Sequence, residues 1–281
     1  MATGCLKPDS GTIVLGDGTK TLEEFFATGK CGYVPQVDLI WNEATVEHHL
    51  NFALQVRGID RESAKDHLDA VIDGLGLRIH LHKKAKALSG GYKRKLCLAI
   101  AIVGAPEVLF LDEVSTGMDP GARSSLWSIL KPKHRKVPLP AILLSTHYMD
   151  EAEYLSNTIG ILVDGNLVTA GSIDTLSEKH CTFNIIEANL DITADLDASI
   201  ELLLSKLPEG VELSEAVNKQ VTFKVPRNAS VSQAQELGIL FNTMEANKEA
   251  AHVVYYSCSR MSLEQIFMEQ CKEQFNSPHA K

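Results

Sequence analysis

The chain has 281 residues, 44% of them hydrophobic and 22% charged, with a formal net charge of -9 at pH 7. That length suits one large domain or two smaller ones with a buried core. The acid excess argues against a nucleic-acid-binding surface over the whole chain, and no nucleic-acid partner is expected.

The first glycine-rich stretch, "GTIVLGDGTKT" from Gly11 to Thr21, is a near miss for a phosphate loop. Such a loop reads G-x-x-x-x-G-K-[ST], so that backbone amides wrap the phosphates and the Lys reaches the terminal ones. Here Asp17 follows Gly16, and an acid there repels phosphate. "EFFATGKC" fails as well, with Glu24 in place of the first Gly and Cys31 in place of the hydroxyl. Short strands with glycine turns are expected from Thr12 to Val34. Val46, Leu50, Ala53 and Leu54 then recur at helical spacing over 44–57, and Ala64, Leu68, Val71, Ile72 and Leu75 repeat the pattern over 61–75. A third helix is expected from Gly90 to Val103.

"EVLFLDE" and "AILLST" read as fully buried parallel strands. "GARSSLWSIL" and "MDEAEYLS" read as helices, and "IGILVDGNLVTAG" as a hairpin turning at Asp164-Gly165-Asn166. Apolar strands alternating with helices predict an α/β core around a parallel sheet. The most apolar stretch, Leu96 to Leu111, is broken by Gly104, Pro106 and Glu107 and is too short to span a membrane.

Near residues 177–180 the character changes. A strand (181–189), a helix (195–207), two strands (211–216 and 220–225), a helix (231–248) and a strand (252–258) follow, then a last helix over 262–274. The βαββαβ order predicts a small ferredoxin-like α+β domain. The final "NSPHAK" is expected to fray.

Six scattered cysteines, none in a C-x-x-C pair, suit reduced thiols in the cytosol, and no cleavable signal peptide opens the chain. The histidines of "EHHL" and "HLHKK" lack Cys or carboxylate partners at ligand spacing and read as solvated.

Four pieces carry chemistry. "GYVPQ" gives Gln36, "LSGGYKRK" gives Ser89, Gly90 and Gly91, "VLFLDEVSTGMDP" gives Asp112, Glu113 and Asp119, and "LLSTH" gives His147. In this order and spacing they resemble the ATP-binding domain of ABC transporters over residues 1–178. "LSGGYKRK" resembles the family signature, with Tyr92 where many members carry Gln. "VLFLDE" resembles the Walker B strand with its catalytic Glu, "STGMDP" the D-loop and "STH" the switch histidine. "KRK", "STGMDP" and the closing "SCSRMSLEQIF" look most like the A subfamily of lipid transporters and its regulatory domain.

The resemblance implies a P-loop NTPase core over 1–178, with a helical subdomain at 38–103 and a ferredoxin-like regulatory domain at 179–281. It implies ATP and Mg²⁺ as ligands. Asp112 and Gln36 would serve the metal, and Glu113 would polarise the attacking water. His147 and Gln36 would stand near the γ-phosphate. Ser89, Gly90, Gly91 and Asp119 would meet nucleotide, the signature at a helix start serving ATP bound on a second ABC ATPase domain, head to tail. Transmembrane domains would be further partners, at the cytoplasmic face of a membrane. The family's P-loop lies just ahead of a segment like "MATGCLKPDSGTI", so the core is expected to be N-terminally truncated, by an internal start or by true loss. Two functions stay open: the ATPase motor of a lipid transporter, or a non-catalytic module that lends its signature to a partner.

Overall fold

A computed structural model describes residues 7–14, 22–131, 140–228 and 231–276. The near miss at Gly16-Asp17, the residues before Lys7 and the tail 277–281 lie outside that set. The chain divides into two compact units, Met1–Leu155 and Ser156–Lys281.

In the first unit, Leu22–Ala27 forms helix α1 and Cys31–Val34 strand β1. The helix replaces part of the expected strand-and-turn region. "LEEFFA" holds good helix formers and no polar-apolar alternation. Helices α2 (Val46–Val56), α3 (Lys65–Gly74) and α4 (Gly90–Ile102) follow. Thr45 caps α2 by accepting the amide of His48 at 3.2 Å. Helix α4 buries Leu96, Cys97, Leu98, Ala99 and Ala101, which cover nearly all sides, as a helix inside a core does. Strand β2 (Val108–Asp112), helix α5 (Pro120–Leu130), strand β3 (Ala141–Ser145) and helix α6 (Met149–Leu155) complete the unit.

The three strands form a parallel sheet in the order β1-β2-β3. Val34 pairs with Leu111 and Asp112 with Ser145, so the loops that leave the three strands emerge along one edge. One core joins the buried face of β2 to the helices, from Val34 through Leu50, Leu96 and Leu111 to Leu126. Strand β3 departs from expectation. Its apolar run predicts a fully buried strand, yet Ile142 is 39% and Leu143 58% exposed. Among the described residues β3 pairs only with β2, so its outer edge carries apolar side chains without a neighbouring strand.

In the second unit, β4 (Ile159–Val163) and β5 (Asn166–Gly171) form the hairpin. Val163 pairs with Asn166, leaving a two-residue turn in which Asp164 and Gly165 both have positive φ, 48° and 76°. That is the primed geometry that matches strand twist. Helix α7 (Ile173–His180), capped by Ser172, was not anticipated. It packs, like β4, on the last helix, and both lie in the second compact unit, Ser156–Lys281.

Then come β6 (Phe183–Leu190), α8 (Leu196–Lys206), β7 (Glu212–Val217), β8 (Gln220–Pro226), α9 (Gln233–Asn247), β9 (Val253–Arg260) and α10 (Leu263–Asn276). The four strands form an antiparallel sheet in the order β7-β8-β6-β9. Val221, Phe223 and Val225 alternate inward along β8 and meet Ile186, Leu203, Leu240 and Met244.

Candidate functional site

The carboxyl ends of β1, β2 and β3 converge on Glu113. Ligand sites form where open parallel sheets end, because the strands there release adjacent loops on one side. Glu113 directly follows β2 and takes φ +44°, a left-handed backbone that a long side chain rarely adopts. Its amide donates to Ser145 O at 3.0 Å, which ties it to the end of β3. Its side-chain oxygen Oε2 accepts from Gln36 Nε2 at 3.0 Å and from Thr116 Oγ1 at 3.1 Å, and His147 Nδ1 stands 3.4 Å from the same atom. The carboxylate side chain is 29% exposed and the imidazole 54%, so the cluster opens to solvent.

Asp112, the last residue of β2, accepts a hydrogen bond from Ser145 Oγ. Gln36, Asp112, Glu113 and His147 thus lie together, as the sequence pattern anticipates. Among the described residues no cluster of three or more His, Cys, Asp or Glu could hold a metal by itself. Magnesium commonly keeps water and substrate phosphates as ligands and needs only one or two protein carboxylates or amides. Asp112 and Gln36 fit that smaller demand.

The signature residues occupy a different place. Ser89 is the N-cap of α4, and its hydroxyl makes no capping bond. A Cβ on Gly90 would meet nothing within 4 Å, and one on Gly91 would touch only the Ala122 and Met118 side chains, at 3.8 and 4.0 Å. The start of α4 therefore presents amides in open space, a geometry suited to an anion. Asp119 caps α5 by accepting the Ala122 amide at 3.0 Å, so its carboxylate has a structural partner in this chain. Tyr92 packs edge-on against His80, with centroids 4.3 Å apart, and Lys95 lies over its ring.

The histidine reading needs correction at two positions. His49 is 3% exposed, not solvated. Its Nδ1 donates to Thr45 O at 2.7 Å and its Nε2 accepts from Trp41 N at 2.9 Å, so it fastens the entry to α2. Burial, with Lys83 nearby, holds the His80 pKa below the usual imidazole value.

Two participants escaped the sequence reading. Arg94, read only as part of "KRK", is 4% exposed and reaches the backbone on both sides of Glu113. Thr116 binds the Glu113 carboxylate directly. Helical spacing was the available signal for Arg94: it lies one turn before Leu98, on the buried side of α4.

Residues 1–116 match the ABC transporter family. A solved "ATP binding subunit of ABC transporter" superposes with a TM-score of 0.56 and 25% identity, over 63% of this chain and 73% of that one. The chain therefore contains an ATP-binding domain of the ABC transporter class. Human ATP-binding cassette sub-family A member 10 is 34% identical over 280 residues, and human cholesterol transporter ABCA5 33% over 279, each across 98% of this chain. ABC transporter A family member 5 of Dictyostelium discoideum is 35% identical over 277 residues, 96% of the chain. The domain belongs to the A subfamily. The chain spans 18%, 17% and 16% of those three relatives' lengths. No helix among the described residues is long and apolar enough to cross a membrane.

Proposed function

We propose that the chain supplies the hydrolytic and signature elements of an A-type transporter, in which ATP hydrolysis powers lipid movement across a membrane. The observation that carries this reading is the convergence of Gln36, Thr116 and His147 on Oε2 of Glu113 at the ends of three adjacent parallel strands. Glu113 polarises the attacking water as general base. Gln36 and His147 orient that water and the γ-phosphate. Asp112 and Gln36 would hold Mg²⁺, which would supply charge neutralisation at the phosphates. Ser89, Gly90 and Gly91 offer their donors to ATP on a second ABC ATPase domain, head to tail, with Asp119 beside them. The lipid cargo is supported by the relative described as a cholesterol transporter.

Within this reading residues 1–178 are the ATPase domain, although its last stretch, the hairpin and α7, packs within the second compact unit, and 38–103 are its helical subdomain. Residues 179–281 are a ferredoxin-like regulatory domain, supported by the order β7-β8-β6-β9 with two intervening helices. The partners are that second ATPase domain and transmembrane domains, and the site is the cytoplasmic face of a membrane. A second reading has the chain lend its signature without hydrolysing ATP itself. The observation favouring it is the open start of α4, where Ser89 makes no capping bond and a Cβ on Gly90 would meet nothing within 4 Å.

The test mixes the chain with an intact A-type ATP-binding domain whose own catalytic Glu is neutralised, and follows association by size exclusion. Association with ATP, its absence with ADP, and its loss in Ser89→Arg are expected. Equal association with ATP, with ADP and without nucleotide would reject the signature role. ATP turnover by the chain in that mixture, lost in Glu113→Gln, separates the motor from the module.

A further inference from the structure

We propose that Arg94 is a positioning residue for the Gln36–Glu113 pair. This deepens the reading above, in which those two side chains act on water and metal. The guanidinium is buried in the first unit, 4% exposed, and none of its hydrogen bonds goes to its own helix. Nε donates to Val114 O at 2.7 Å, Nη1 to Pro35 O at 2.5 Å, and Nη2 to Asp112 O at 2.9 Å and Glu113 O at 3.0 Å. Its charge faces Asp38, 3.5 Å from Nη1. Pro35 and Asp38 flank Gln36, while Asp112, Glu113 and Val114 are the turn that carries the carboxylate. One rigid plane thus fixes both backbones that must align for Gln36 Nε2 to meet Glu113 Oε2.

The strain at Glu113 sharpens the assignment. A non-glycine residue at positive φ is strained and persists only where its surroundings over-determine it. Arg94 holds the carbonyls on both sides of that residue's nitrogen, and Ser145 O holds the nitrogen itself. A lysine could not substitute. Its ammonium is a compact point charge with three rotatable donors, whereas the guanidinium presents five in a fixed fork. Arg94→Lys would keep the charge near Asp38 and lose the plane.

The test is NMR of the full chain carrying isotope-labelled glutamine side chains. The Gln36 carboxamide resonance should be displaced in the wild type by its bond to Glu113, and Glu113→Ala should remove that displacement and so identify it. Arg94→Lys should lose the same displacement, although neither Gln36 nor Glu113 is changed, while glutamines of the second unit keep their positions. A wild-type Gln36 resonance in Arg94→Lys, with only the unfolding temperature lowered, would overturn the proposal and leave Arg94 a packing residue. So would a Gln36 resonance identical in the wild type and Glu113→Ala. Should Arg94→Lys fail to fold, Asp38→Ala decides, since it leaves Arg94 in place and removes its ion pair on the loop side, together with the Cys97 Sγ hydrogen bond. A partial loss of displacement is expected there, and none overturns the proposal. No nucleotide enters this experiment, so its failure is distinct from failure of the association assay.

Discussion

Gly32 offers the most direct check on how the sheet and the signature helix are held together. It lies on β1, four residues before Gln36, with its Cα against α4. A Cβ built there would stand 2.6 Å from Ala101 O, 3.2 Å from Ala101 C and 2.8 Å from Leu109 Cδ1. The first two atoms are helix backbone and cannot rotate away, so in Gly32→Ala either β1 or α4 must move. Overpacking of that kind costs roughly 1–3 kcal/mol. For a unit of this size it corresponds to a fall in unfolding midpoint of roughly 2–12 °C. Both tryptophans, Trp41 and Trp127, lie in Met1–Leu155, so selectively excited tryptophan emission during heating reports the first unit alone. Gly32→Ala should lower that transition and leave the second unit, followed by circular dichroism after the first has melted, where it was. An unchanged fluorescence midpoint would refute the close approach of β1 to α4.

Gly238 sits mid-helix in α9, where an added Cβ meets nothing within 4 Å. Gly238→Ala should therefore stabilise the second unit by about 1 kcal/mol in urea unfolding, the usual gain of alanine over glycine inside a helix. Leu143 is 58% exposed on the outer strand β3, and unpaired apolar edges template aggregation. Leu143→Lys should lower light scattering of the concentrated chain without lowering its stability. Burial, with Asp38 adding to it, pushes the Cys97 thiol up to about 12, so it should resist a thiol reagent at neutral pH until the chain unfolds. Cys258 is pushed up to about 11, by burial, and Tyr256 to about 12, by burial and its bond to Glu245. Each folded group binds its proton more tightly than the unfolded chain does. Stability is therefore full below the ordinary thiol and phenol values and falls as pH rises from about 9 towards 12, which alkaline urea titrations would show.

Local patterns proved legible where one residue type has one physical use. Asp164-Gly165 makes the hairpin turn, because few residues serve that backbone need. That Gln36, Asp112, Glu113 and His147 come together was legible because each ends or follows an apolar strand, and parallel strands end together. What stayed hidden depends on packing across the chain. "AILLS" has the composition of a central strand, but whether it has a neighbour on its far side is not written in its own residues. "LEEFFA" turned helical for want of alternation. His49 looked solvated because its partners, Trp41 and Thr45, are defined only once α2 closes on the preceding loop.

Arg94 shows why that boundary matters for function. In sequence it is the middle of a basic triplet, the composition of a solvated helix face, and its neighbours Lys93 and Lys95 fit that description. Its side chain nevertheless points inward, 18 to 20 residues from the carbonyls at 112 to 114 and 59 from Pro35. Burying a guanidinium is costly unless its donors and its charge are satisfied. Four carbonyls and Asp38 meet that condition here, and all of them lie in the two segments that carry Gln36 and Glu113. A packing role alone would need no charge, since Leu98, one turn further along α4, is buried without one. Arg94→Met separates the two. An apolar replacement that keeps or raises the unfolding midpoint of the first unit, yet loses the Gln36 displacement, would mean that the buried charge is retained for the geometry of the site. A midpoint and a Gln36 resonance that are both unchanged would mean that neither the fold nor the site needs it.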